Sequence, residues 1–187
     1  MRTFIAIELS EEIKDSLTQI QSHLKYAGAD VKWIEKDNIH LTLKFLGEID
    51  DKKCEKVKSA LDEIAKSAKS FEISLKDIGA FPKIDFPRVI WVGLDKGAKE
   101  STELALKIDK ALSKLGLDKE TRPFAAHLTL GRVRSSKNKE DLKEKIQSYA
   151  KHDLASHTQF ISYLILFQST LTPKGSIYIK LHEAKLS

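Results

Sequence analysis

The chain has 187 residues, of which 41% are hydrophobic and 32% charged, and carries a formal net charge of +5. That size and balance describe a soluble chain with a well-buried core and exclude a disordered one. The longest apolar run, Tyr163 to Phe167, is strand-sized and too short for a membrane helix, so no membrane partner is expected. The single cysteine, Cys54, leaves no intramolecular disulfide. The opening Met1-Arg2-Thr3-Phe4-Ile5 enters a strand pattern without a signal-peptide apolar region, which predicts a cytoplasmic location. The positive charge permits an anionic partner. Lysine far outnumbers arginine, and Met and Cys are nearly absent, a bias that leans toward a thermophilic source.

Arg2 to Leu9 alternates as a strand. Ile13, Leu17, Ile20 and Leu24 then follow at helical spacing, with Ser10 placed as the N-cap and Gly28 as the C-terminal stop. His40-Leu41-Thr42-Leu43 is the next strand, and Val57, Leu61, Ile64 and Ala68 form the next helix. Phe71 to Leu75 alternates again, and the Pro/Gly-bearing stretch Gly79 to Pro87 reads as a crossover. The order then repeats. A strand from Arg88 to Leu94 precedes a helix with Leu104, Ile108, Leu112 and Leu115 that runs into Gly116. The strand His127-Leu128-Thr129-Leu130 follows, then a helix with Leu142, Ile146 and Tyr149, and an apolar strand from Phe160 to Phe167. A last strand, Ser176 to Leu181, can join either sheet.

The chain is therefore two β-α-β-α-β halves, approximately residues 1–81 and 88–171, with HLTL at the same place in each. A lone HLTL is ordinarily an apolar strand core whose histidine faces solvent. Two copies in matched register predict duplication and a pseudo-two-fold cleft. The expected fold is a single bilobal α+β unit with the cleft between two antiparallel sheets.

Alternate side chains of a strand share a face, so His40 with Thr42, and His127 with Thr129, point into the cleft while the leucines enter the core. Two imidazoles across a cleft suit phosphodiester cleavage. With unperturbed pKa near 6.5, one removes a proton and the other supplies one. The threonine hydroxyls can donate to phosphate oxygens where charge builds up. No cofactor is required, and a metal is not expected, since each motif offers one histidine where a catalytic zinc takes three protein ligands. His23, His152, His157 and His182 lie on helix faces, in loops or in the tail and are expected to be solvent-exposed.

Only five arginines occur, and Arg122, Arg132 and Arg134 bracket the second motif. Guanidinium groups bind phosphate bidentately, and the alternative for these residues is surface ion pairing. By parity Lys44 joins the His40 face as a phosphate ligand and Phe45 joins the core. Arg132 has the wrong parity unless Gly131 marks a bulge that turns it inward. Among the aromatics, Phe124, Phe81 and Phe86 lie in expected loops and are candidates to stack a nucleobase, against the default of packing. Trp33 and Trp91 fit strand cores.

These residues resemble a known family. Trp33-Ile34 followed by Asn38-Ile39-His40-Leu41-Thr42-Leu43-Lys44-Phe45-Leu46-Gly47-Glu48 is similar to the first signature of the two-histidine (2H) phosphoesterases. The branch is that of the RNA 2',3'-cyclic phosphodiesterases, also called 2'-5' RNA ligases. Arg122-Pro123-Phe124 leading to His127-Leu128-Thr129-Leu130-Gly131-Arg132 resembles the second signature, and Arg2 to Ile7, Ser169-Thr170-Leu171, Gly175 and Tyr178 extend the match. The residue before the second motif, often proline in the family, is Ala126. The resemblance implies opening of an RNA 2',3'-cyclic phosphate to a 2'-phosphate, with His40 the proton donor and His127 the proton acceptor. It also implies ATP-independent 2'-5' ligation by the reverse reaction. The partners it implies are RNA ends, including tRNA halves, or cyclic nucleotides, met by a monomer. Two other readings share the cleft: a noncatalytic RNA- or nucleotide-binding module, and a cyclic phosphodiesterase of small nucleotides.

Overall fold

Period-two and period-3.6 apolar patterning produce nine strands and four helices in the computed structural model, which describes residues 1–187. In chain order these are β1 (Arg2–Glu8), α1 (Glu11–Lys25), β2 (Val31–Trp33), β3 (His40–Glu48), α2 (Asp51–Lys66), β4 (Phe71–Lys83) and β5 (Phe86–Leu94). They continue as α3 (Ala98–Ser113), β6 (His127–Val133), α4 (Lys139–Tyr149), β7 (Thr158–Ile161), β8 (Tyr163–Thr172) and β9 (Gly175–Lys185). Ser10 caps α1 as the sequence predicts, its hydroxyl accepting from the Ile13 N–H at 3.3 Å. No helix is long and apolar enough to cross a membrane.

The strands form two antiparallel sheets, one ordered β3-β1-β8-β9 and the other β2-β6-β5-β4-β7. The halves predicted from the repeat exchange strands. The first contributes β4 to the second sheet, beside β5, and the second contributes β8 to the first sheet, beside β1. Helices cross over as well: α1 packs against α4, and α3 packs against β3 and α2. One cluster of 39 buried apolar residues, including Ile5, Leu41, Leu128 and Leu164, consequently runs through both lobes. The lobes are parts of one core.

Two predicted elements differ. Gly79 to Pro87 is no crossover but a hairpin: β4 runs on to Lys83 and β5 begins at Phe86, so Phe81 and Phe86 lie in strands and not in loops. Two prolines did not break it because Pro82 and Pro87 face each other at the hairpin end, where missing N–H groups cost the ladder least. Phe160 to Phe167 is two strands, not one, since the chain passes at Ser162 from β7 in one sheet to β8 in the other. The last strand, β9, pairs with β8. Two histidines expected in solvent are engaged instead. The His23 ring packs 4.8 Å from Tyr149, and His182 Nε2 lies 2.7 Å from Asp62 Oδ1.

The decisive local features are two matched bulges. Between β1 and β3, Ala6 pairs with Thr42 but Ile5 with Lys44, so Leu43 is an extra residue. Between β5 and β6, Trp91 pairs with Thr129 but Ile90 with Gly131, so Leu130 is extra. The parity of each strand therefore reverses after its HLTL. Leu43 and Lys44 both turn toward the helices and are buried, as are Leu130 and Gly131.

Lys44 is thus not a cleft residue. Its Nζ lies 2.6 Å from Asp109 Oδ1 on α3, 2.8 Å from the Asp118 carbonyl and 3.6 Å from Glu120. Burial would raise the Asp109 carboxyl, but the Lys44 ammonium and the Glu120 N–H outweigh it and hold Asp109 below the usual carboxylate range. Phe45, expected in the core, lies on the cleft face, 62% exposed and 6.0 Å from the Phe4 ring. Lys44→Met leaves a largely buried carboxylate without its cation and is expected to cost about 3 kcal/mol of unfolding free energy. Turnover per folded molecule stays unchanged. Chemical denaturation and initial rates on the same preparation check this; a stable variant with a raised KM would return Lys44 to the phosphate site.

Candidate active site

The two HLTL strands approach each other, β3 along the edge of one sheet and β6 next to the edge of the other. His40 and Thr42 occupy the cleft face of β3, and His127 and Thr129 that of β6, all partly exposed between fully buried leucines. Beyond the second bulge Arg132 takes the face of His127 and Thr129, exposed to solvent, as the bulge at Gly131 allows. Phe45 holds the corresponding place after the first bulge. The two halves therefore present the same histidine and threonine but differ at the third position: a ring in one lobe, a guanidinium in the other.

His127 Nδ1 lies 2.6 Å from the Ala125 carbonyl, two residues upstream. A carbonyl only accepts, so Nδ1 is the donor in this contact and Nε2 is the ring nitrogen left to exchange a proton. The His40 ring lies against the backbone of Asn38, two residues upstream. Their surroundings diverge. His40 stacks on Phe4 at 4.8 Å and meets the edge of Tyr178 at 5.2 Å. This burial, partly offset by the Asn38 backbone and reinforced by the nearby Lys14 charge, pulls its pKa down from 6.5 to about 4.

Tyr178 reaches His40 because the first sheet coils, bringing the starts of β3 and β9 together although they lie on its opposite edges. Asn38 Nδ2 fixes that contact by donating to the Ser176 carbonyl at 2.9 Å. The closure leaves a cavity of about 330 Å³ beside His40, lined by Lys14, Asn38, Phe167, Tyr178 and Lys180 among others. Phe167 in its wall belongs to a separate small apolar cluster with Phe4, Ala6 and Ile165.

The His127 side is built from aromatic rings. Phe81 stands edge-on to His127 at 5.1 Å and packs 5.2 Å from Trp91. Trp91, expected in a strand core, is only partly buried. Matching Arg2 with Arg88 sets the repeat one residue out. Counted from the bulges, Ile5 corresponds to Ile90, and Trp91 takes the cleft-face place of Ala6. Gly79 makes room for it, since a Cβ there would lie 2.5 Å from the indole. That glycine opposite a tryptophan was the available signal. Phe124 is partly buried against the main core, which matches packing more than base stacking. Gln21, which the sequence reading passed over, is 3% exposed and ties the second bulge down, donating to the Leu130 and Ile34 carbonyls at 2.9 and 2.8 Å.

None of the five arginines forms an ion pair, although lysines form thirteen. One further ion pair involves the N-terminus. The guanidinium groups are free for an anion.

Residues 7–91 and 92–178 each match the family described as LigT like Phosphoesterase. The RNA 2',3'-cyclic phosphodiesterase of Methanocaldococcus jannaschii is 40% identical over 178 residues, covering 95% of this chain and 96% of that protein. That of Methanothermobacter thermautotrophicus is 33% identical over 186 residues, covering 100% and 99%. In fold, TT0787 of Thermus thermophilus superposes with a TM-score of 0.81 at 23% identity, covering 100% of this chain and 98% of that one. E. coli LigT complexed with 3'-AMP gives 0.79 at 22% identity with the same coverage. Both halves matching one family, and such relatives along nearly the whole length, show that the chain belongs to the LigT-like phosphoesterases.

Proposed function

We propose that the protein opens the 2',3'-cyclic phosphate of an RNA end to a 2'-phosphate by two-histidine acid–base catalysis. The observation that carries this reading is the pair of histidines, each with its threonine, on the cleft face of matched, bulged strands. The names borne by the M. jannaschii and M. thermautotrophicus relatives support the substrate. In the reaction, water attacks phosphorus as His127 Nε2 takes its proton. The bond to the 3' oxygen breaks, and His40 protonates the departing oxygen. Thr42 and Thr129 donate to the non-bridging oxygens and Arg132 balances their charge. With a ribose 5'-hydroxyl attacking phosphorus in place of water, the same steps join two ends through a 2'-5' linkage without ATP; run backwards, they cleave that linkage and close the ring.

Burial keeps His40 neutral near pH 7 in the empty cleft, which is the wrong state for a proton donor. An anionic phosphate beside the ring reverses this, because an opposite charge favours the imidazolium. His40 thus takes up its proton together with the substrate.

Incubation with a 2',3'-cyclic nucleotide in EDTA is expected to yield the 2'-phosphate; no product would refute the enzyme reading and leave a binding module. His40→Ala and His127→Ala each lower the rate 10²-fold or more, as loss of an acid or base does. The pH profiles separate the two states of His40. The alkaline limb of kcat/KM reports the free enzyme, whose His40 loses its proton early, whereas that of kcat reports the complex. The kcat limb should lie at least about one unit higher; coincident limbs would remove His40 as a donor charged by the substrate.

A further inference from the structure

The geometry points to a second phosphate-binding element on the cleft face, formed by Lys32 and Arg134 beside Arg132. It takes the backbone of the single-stranded RNA whose end is being opened, and so marks the substrate as an RNA chain and not a free cyclic nucleotide. The inference rests on the phosphodiesterase reading above.

β2 pairs with β6 so that Lys32 stands directly opposite Arg132, Val31 opposite Val133 and Trp33 opposite Gly131. Directly paired residues of an antiparallel ladder share a face. Val31 and Trp33 lie against Gly131 on the helix side, since a Cβ on Gly131 would meet both. Lys32 therefore shares the cleft face with Arg132, and like it is exposed and in no ion pair. Arg134 follows at the end of β6, its backbone N–H held by the Asp30 carbonyl at 2.8 Å. Arg88 is the extra residue of β5 between Val89, which pairs with Arg132, and Pro87. It is exposed and in no ion pair as well.

A cyclic mononucleotide brings one phosphate, which Thr129 and Arg132 accommodate next to His127. Lys32 stands one strand spacing, about 5 Å, to the side of Arg132. It has no partner in such a ligand, and neither has Arg134. An RNA chain supplies further phosphates. Cations without carboxylate partners bind these by releasing counterions, a gain that a lysine already neutralised by a neighbouring acid does not give.

The test compares wild type with Lys32→Ala/Arg134→Ala on adenosine 2',3'-cyclic phosphate and on a single-stranded oligoribonucleotide ending in a 2',3'-cyclic phosphate. The variant is expected to match wild type on the mononucleotide. It loses about tenfold or more in kcat/KM on the oligonucleotide, through KM, and its dependence on log salt flattens by about 0.7 for each lost contact. Equal loss on both substrates, or no loss on either, would overturn the inference. So would a loss confined to joining a second, 5'-hydroxyl strand. Wild type inactive on both substrates would count against the phosphodiesterase reading instead. Fluorescence anisotropy of a labelled oligonucleotide ending in a 2'-phosphate then decides separately: weaker binding by the variant supports the second phosphate site, and unchanged affinity overturns it.

Discussion

The whole cleft depends on one extra residue in each of two strands. A β-strand can offer only alternate side chains to one face, and an uninterrupted His40–Glu48 strand would place a lysine on the cleft face and a phenylalanine in the core. The bulge at Leu43 exchanges them, and the bulge at Leu130 turns Arg132 toward the histidine. Each irregularity is stabilised from the other half of the chain: Gln21 of α1 binds the Leu130 carbonyl, and Asp109 of α3 binds the Lys44 ammonium. The repeat has thus kept the position of the defect while changing the chemistry that secures it.

The same exchange divides the charges. Ten of the 27 lysines pair with carboxylates, Lys44 among them in a buried pair. Arginines stand free, and Arg132 shows why residue type matters here: its planar fork is suited to a phosphate and needs no acid to hold it. The His40 lobe offers rings and a small apolar cluster, while the His127 lobe offers rings beside cations. Two identical tetrapeptides therefore sit in unlike surroundings, and burial among aromatic rings lowers the pKa of His40.

Most of the architecture was legible because it rests on periodicity. The amphipathic helices, the β1, β3 and β6 cores and the duplication all follow from spacing, as did the positions of His40, Thr42, His127 and Thr129. What failed was parity after an interruption. Gly131 advertised its bulge and Arg132 was read correctly with it, but Leu43 carries no such mark, so Lys44 and Phe45 were exchanged. A one-residue error in aligning the repeats likewise sent Trp91 to the core. The hairpin between β4 and β5 was hidden by prolines that a sequence reading treats as breakers, although at a strand end they are tolerated. Contacts created by coiling, such as Tyr178 against His40, join residues far apart in the chain and have no local signature.

The exchange of β4 and β8 has a mechanical consequence. A bilobal enzyme with each lobe made from one continuous stretch can swing about the linker between them. Here each sheet contains strands from both halves, and one apolar core fills the space behind both. Any large opening would have to peel strands from a ladder or expose that core. The gap between the two imidazoles is therefore set during folding, and the substrate meets a vice whose jaws are already fixed, leaving only side-chain adjustment and protonation to occur on binding.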